Sequence, residues 1–202
     1  MDPLIEGYRR FHEHVWPQER ARYEALAEQG ERPKTLVIAC SDSRVDPQTI
    51  FGAAPGELFV VRNVGALVPP YQPDAGYHGT SAALEFGVRV LKISRIVVLG
   101  HARCSGVKAL VEGLPEEAVD FLKPWMKLAE PAIQPSVEAF EARDVVGHYE
   151  TEVVLHSLAN LRTFPWIREA VEAGALELSG FRFDIHTGVL MQLDGDEFVA
   201  LR

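Results

Sequence analysis

With 202 residues and an apolar share of 47%, the chain is long enough to bury one substantial core and has the composition of an ordinary globular protein. A formal charge of -9, with no run of Lys or Arg, excludes nucleic acid and anionic membrane surfaces as partners and leaves small molecules and other subunits. No window reaches the roughly 18 continuous apolar residues of a membrane span, and the amino terminus lacks a basic stretch followed by an apolar segment, so a reducing cytoplasm is the expected compartment.

Residues 1–30 read as an N-terminal helical arm of mixed polarity, with Phe11, Val15, Trp16, Tyr23 and Leu26 as its candidates for burial. Such a segment has little core of its own, and its expected place is across another part of the fold or across a partner subunit. Residues 31–202 read as one domain. Lys34-Thr35-Leu36-Val37-Ile38-Ala39 is apolar and β-branched in the middle, as a strand buried on both faces should be, and Cys40 stands at its carboxyl end.

Asp46-Pro47 predicts a helix start, Gly52 to Gly56 a turn, and Leu58 to Arg62 a second strand. After a loop carrying Pro69, Pro70 and Pro73, apolar residues recur at helical spacing from Thr80 to Lys92. Ala83, Phe86, Gly87, Val90 and Leu91 form the expected buried face. Ile93 to Leu99 is a third strand, running into Gly100-His101. Cys104 precedes a helix that Ser105 is expected to cap and Gly113 to close, and whose positive end favours a thiolate.

From Leu114 to Phe164 the chain reads as helices broken at Pro115, Pro124, Pro131 and Pro135. A helix at Trp166 to Ala173 follows. Leu176–Leu178 and Phe181–Ile185 then alternate as a strand and Gly188–Leu193 as another, a pair expected to form a hairpin at a sheet edge. Asp184 and Asp194 through Asp196 read as solvated edge and turn residues. The alternation of strand and helix predicts an α/β fold: a single domain with a central, mostly parallel sheet flanked by helices, the N-terminal arm, and a C-terminal edge hairpin.

Both cysteines fall in two short stretches, Cys40-Ser41-Asp42-Ser43-Arg44 and Gly100-His101-Ala102-Arg103-Cys104-Ser105-Gly106. Cys40, His101 and Cys104 are zinc-ligand types, and three protein ligands leave a tetrahedral position for water, which separates catalytic zinc from structural zinc. Ligands of parallel sheets gather beyond the carboxyl ends of the strands, which brings Cys40 and His101 together. A Cys40–Cys104 disulfide is the alternative, and it leaves His101 and Asp42 without a role.

Asp42 is placed to accept a hydrogen bond from zinc-bound water, and Arg44 to hold that carboxylate in a fork, ionised and turned from the metal. If Arg44 lets go, Asp42 is a possible fourth ligand that closes the site. His12 and His14, two apart on a helix, do not share a face. His78, His148, His156 and His186 have no ligand-spaced partner. Any exposed one is able to carry protons to buffer, and the sequence does not choose among them.

Cys40-x-Asp42-x-Arg44 with His101-x-x-Cys104 resembles the β-class carbonic anhydrases. The similarity extends to Pro55–Val64, Leu67–Tyr71, Gly79–Phe86 and Asn160–Pro165, so that it spans the chain from about residue 30 to about residue 195. The resemblance implies a zinc lyase, with one Zn2+ per subunit, that reversibly hydrates CO2 to bicarbonate and a proton. It implies zinc-bound hydroxide as the nucleophile, oriented by the Asp42–Arg44 dyad.

The resemblance also implies an apolar CO2 pocket, onto which Phe59, Val64 and Phe86 map. In relatives a backbone N–H after the last cysteine contacts substrate; that position, normally glycine, is Ser105. Relatives usually carry a bicarbonate-binding glutamine where this chain has Glu31. A carboxylate cannot donate unless protonated and repels bicarbonate, so weaker bicarbonate handling is expected. The family builds its pocket at a dimer interface, which implies a homodimer or a dimer of dimers. The alternatives are a CS2 or COS hydrolase on the same scaffold and a non-catalytic zinc-binding assembly protein closed by Asp42. The intact Arg44 argues against the second of these and Glu31 for it.

Overall fold

In the computed structural model, which describes residues 2–74, 76–133 and 144–201, the first apolar run folds as β1 (Thr35–Cys40). Leu36 through Ala39 have no solvent exposure, so the strand must be covered on both faces and flanked on both sides. It pairs in parallel with β2 (Leu58–Asn63) on one side and with β3 (Arg95–His101) on the other. β4 (Glu177–Phe183) lies parallel beside β3, and β5 (Leu190–Asp194) and β6 (Glu197–Ala200) add antiparallel strands at the edge.

The sheet order is β2-β1-β3-β4-β5-β6. From β1 the chain moves one way to β2 and then back past β1 to β3, so the winding reverses between β1 and β3. That reversal parts the connections at the strands' carboxyl ends and opens a crevice there. Ala39 is in register with Leu99, so Cys40 and His101 emerge side by side at that point.

The period of two in each strand assigns its faces. Leu36, Ile38, Ile96 and Val98 pack on one side of the sheet, whereas Val37, Ala39, Val97 and Leu99 pack on the other with Phe181. The first of these faces is covered by the helix Val145–Leu161, which buries Val153, Val154, Leu158 and Leu161. Close approach is possible because the strands beneath it carry glycine. A Cβ at Gly180 would come within 2.9 Å of Leu158 Cδ1, and one at Gly100 would collide with Val154 Cγ2.

The other helices, in chain order, are α1 (Pro3–Arg10), α2 (Trp16–Gln29), α3 (Pro47–Phe51), α4 (Gly79–Glu85), α5 (Ser105–Glu112) and α6 (Leu122–Met126). The long helix just described is α7, and α8 (Pro165–Glu172) follows it. α1 and α2 bury no residue. Phe11, Trp16, Tyr23 and Leu26 are half-buried, and Val15 is exposed rather than buried, because within one chain no layer covers the arm.

Asp46 and Pro47 start α3 as expected, the Asp46 side chain accepting the Thr49 N–H. α4 continues through a wider turn at Phe86–Leu91. Its buried face is Thr80, Leu84 and Gly87, with Leu91 half-buried; Phe86 and Val90 are 44% and 61% exposed, which corrects the expected face. Gly87 sets the rotation, since a Cβ there would lie 2.8 Å from Leu36 Cδ1. Ser105 is the first residue of α5 rather than its cap; Cys104 holds the cap position, and Gly113 closes the helix.

Pro124 does not break α6. It is the third residue of that helix, where a backbone N–H would have no intrahelical partner. Pro131 sits inside a 3-10 turn at Lys127–Ile133, and Pro135 lies outside the described residues. At the C-terminus the expected strand at Leu176–Ile185 forms as the continuous β4, which meets β5 as an antiparallel hairpin. β6 was not anticipated, because Glu197, Val199 and Ala200 are exposed and supply little apolar signal.

Candidate active site

Cys40 closes β1, His101 closes β3, and Cys104 follows one turn later at the start of α5. Their ligand atoms all lie within 4.8 Å of one another, and the three residues are 5%, 2% and 3% exposed. The sulfurs are 4.0 Å apart, about twice a disulfide bond length, so the thiols are not joined. The hydrogen bond from Cys104 drives Cys40 down to about 4, and the same bond, then burial, pushes Cys104 up.

The histidine leaves one ring nitrogen unpaired. His101 Nδ1 lies 2.9 Å from the carbonyl oxygen of Ala102, which can only accept, so Nδ1 carries the proton and Nε2 has the free lone pair. Nε2 is buried with no hydrogen-bond partner. A buried acceptor left orphaned beside two thiols fits a metal ion, and imidazole with two sulfurs is a donor set suited to zinc.

Asp42 stands just outside this cluster. Its Oδ1 accepts the backbone N–H and the Nε–H of Arg44, both at 2.9 Å, and its Oδ2 accepts Arg44 Nη2 at 2.6 Å. These bonds hold the carboxyl well below the usual carboxylate range, against the opposing effect of burial. Arg44 Nη2 also donates to the carbonyl of Arg103 at 3.2 Å, tying the two short stretches to each other. Arg62, not singled out in the sequence, donates to the carbonyls of Cys40 at 3.0 Å and Asp42 at 2.6 Å.

The loop between the ligands is pinned at each residue. Ala102 N–H donates to Phe183 at 2.9 Å, Arg103 takes a left-handed turn at φ 56°, and Cys104 N–H donates to Glu150 Oε1 at 2.8 Å. Glu150 is 3% exposed and pairs with Arg182 at 2.9 Å. Neither residue was found by sequence reasoning. The available signal was weak: Glu150 is one of several polar residues in the helix, and only packing shows that its carboxylate is buried.

A hollow of about 380 Å³ opens over the cluster and is lined by Cys40, Asp42, Arg44, Val64, Ser105 and Gly106 among others. Val64 and Ser105 therefore reach the site. Phe59 is in register with Leu36, four residues back along β2 from the partner of Cys40, so roughly 13 Å away along the strands. Its ring lies 5.9 Å from that of Phe86. Glu31 is exposed ahead of β1, beyond the opposite end of that strand from Cys40. One chain by itself does not gather Phe59, Phe86 and Glu31 at the cluster.

A family model described as carbonic anhydrase matches residues 35–190. A carbonic anhydrase of Pseudomonas aeruginosa is 38% identical over 209 residues, spanning 100% of this chain and 92% of the relative. One of Synechococcus elongatus is 34% identical over 197 residues, 96% of this chain and 71% of the relative. Among solved structures, the β-carbonic anhydrase CcaA superposes with a TM-score of 0.90 at 34% identity and covers 98% of both chains. A tetrameric β-carbonic anhydrase of Sordaria macrospora gives a TM-score of 0.81 at 28% identity, over 94% of each chain.

Proposed function

The chain belongs to the β-class carbonic anhydrases, and from that premise we propose how its residues divide the work. The reaction is the reversible hydration of CO2 to bicarbonate and a proton. The metal we assign is zinc, one ion per chain, held by the sulfurs of Cys40 and Cys104 and by Nε2 of His101. When bound there, zinc supplies an acidified water as nucleophile near neutral pH.

The observation that carries this reading is the fork between Arg44 and Asp42 beside a three-ligand cluster. Two thiolates cancel the formal charge of Zn2+, so the protein must help the nucleophile by positioning it. Asp42, kept ionised, accepts the hydrogen bond of the attacking water and directs a lone pair at the carbon of CO2. Arg44 holds that carboxylate away from the metal. Val64 supplies an apolar wall, and Ser105, which lines the same hollow as the first residue of α5, offers its backbone N–H as a donor for bicarbonate oxygen.

Phe59, Phe86 and Glu31 complete the pocket of a second copy. The 44% exposure of Phe86, the bare arm at residues 1–30 and the tetrameric relative support a homodimer or a dimer of dimers, with the arm laid across the partner. Glu31 weakens bicarbonate handling at that pocket. Among the described residues no helix is long and apolar enough to cross a membrane, and the two unjoined thiols suit a reducing cytoplasm. A CS2 or COS hydrolase is not favoured by the comparisons, and a closed assembly protein is opposed by Asp42 lying on Arg44.

The test is stopped-flow CO2 hydration against pH by zinc-quantified wild type and Asp42→Asn. Wild type is expected to be active and the variant strongly impaired at equal zinc content. Inactivity of the zinc-loaded wild type at every pH would overturn the reading.

A further inference from the structure

Each CO2 hydrated leaves a proton that must reach solvent. Asp42 is unsuited to carry it, because the Arg44 fork keeps that carboxylate ionised. The carrier must change charge near neutral pH, which is the property of histidine. Of the seven histidines, His101 is a ligand and His12 and His14 sit on the exposed arm. His148 packs on Tyr149, His156 bonds Asn160, and His186 is exposed in the turn after β4.

His78 is placed differently. It lines a cavity of about 780 Å³ whose wall also includes Ser41, Asn63 and Val64. Ser41 and Val64 in turn line the smaller hollow over Cys40 and Asp42, so the two spaces share a wall. Two residues past His78, the Thr80 hydroxyl accepts Asn63 Nδ2 at 3.3 Å. The Asn63 carbonyl accepts the N–H of Ser41 at 2.9 Å. Hydroxyl, amide and carbonyl groups of Thr80, Asn63 and Ser41 thus lie along the side of the cavity between His78 and the residue that separates Cys40 from Asp42.

His78 Nε2 lies 2.7 Å from Asp74 Oδ1, and the same oxygen accepts the Gly76 N–H at 2.6 Å. An ionised carboxylate only accepts, so Nε2 carries the hydrogen and Nδ1 is left with the lone pair. Among the described residues, the other charged groups lining the hollow that adjoins His78 are Glu85 and Arg89, and they neutralise each other in an ion pair at 2.8 Å. Asp74 is thus the unbalanced charge beside the ring. The side chain of His78 is 37% exposed, within reach of buffer.

We propose that His78, polarised by Asp74, is the proton carrier of the hydration reaction. Nδ1 takes the proton released by the attacking water, through solvent in the cavity, and yields it to a base in bulk; dehydration runs the same path in reverse. The assignment rests on the carbonic anhydrase reading.

The test uses zinc-loaded wild type, His78→Ala, Asp74→Asn and, as a remote control, His186→Ala. In dilute buffer His78→Ala is expected to lose about tenfold or more in kcat while keeping kcat/KM for CO2, because proton release follows the CO2 step. Added imidazole restores it, Asp74→Asn falls between, and the control matches wild type. Long-range nitrogen–proton spectra are expected to show the Nε2–H tautomer of His78. A wild-type kcat for His78→Ala in dilute buffer, a loss that imidazole does not restore, or an Nδ1–H tautomer would each overturn the proposal. Inactive wild type overturns the parent activity instead, an outcome distinct from any confined to His78→Ala.

Discussion

Glu150 holds Cys104 by its backbone rather than by its sulfur: Oε1 accepts the Cys104 N–H at 2.8 Å, and Oε2 accepts Arg182 Nη2 at 2.9 Å. The carboxylate reaches down from α7, the helix that also presses on Gly100, so one helix sets both the strand carrying His101 and the amide of Cys104. Glu150→Ala strands the Arg182 guanidinium, whose Nε has no partner, together with the Cys104 amide. The expected loss is about 3–5 kcal/mol of stability, read by urea unfolding, with a lowered zinc content. Glu150→Gln keeps an acceptor for the amide and is expected to recover part of both; a neutral Glu150→Ala would refute the role.

Arg44→Leu removes the fork without altering Cys40, His101 or Cys104. Activity is expected to fall about 10–100-fold with zinc content unchanged, and a crystal structure of the zinc-loaded variant is expected to show Asp42 turned onto the metal. Full activity with Asp42 in place would show that the fork is dispensable.

Gly100→Ala places a methyl group against Val154 Cγ2, next in sequence to His101. The expected cost is about 1–3 kcal/mol, seen as a lowered melting temperature. Val154→Ala in the same chain makes room, so the double variant is expected to lose less than the two single losses added together. Strict additivity would mean that the contact does not limit the packing of α7 on β3.

Asp46 caps α3, its Oδ2 accepting the Thr49 hydroxyl at 2.7 Å and the Thr49 N–H at 2.9 Å. The hydroxyl bond chiefly, with the amide and Arg62, holds its carboxyl below the usual range. A folded-state pKa below the unfolded value means that the stabilisation is present above that unfolded value, near 3.9, and is lost as pH falls through the folded one. Asp46→Ala is expected to cost about 1 kcal/mol at neutral pH. The gap from wild type narrows as the medium is acidified, and a gap independent of pH would exclude the charge.

The cluster of Cys40, His101 and Cys104, the pairing of Asp42 with Arg44 and the parallel sheet were legible in the chain itself, because each rests on local order. Apolar β-branched runs make buried strands, ligand types stand where those runs end, and a carboxylate two residues from a guanidinium closes its own fork. Glu150 and Arg182 meet across 32 positions, and no spacing rule links a helix face to a strand's last turn. The rotation of α4 was likewise undetermined by periodicity, which leaves adjacent faces nearly equivalent; contact between Gly87 and Leu36 decided it. His78 was one of several unplaced histidines until the fold set it in a cavity wall shared with Ser41 and Val64. Residue type and order along the chain settled which chemistry is available, and only packing between distant segments settled which groups hold it in place and which lie within its reach.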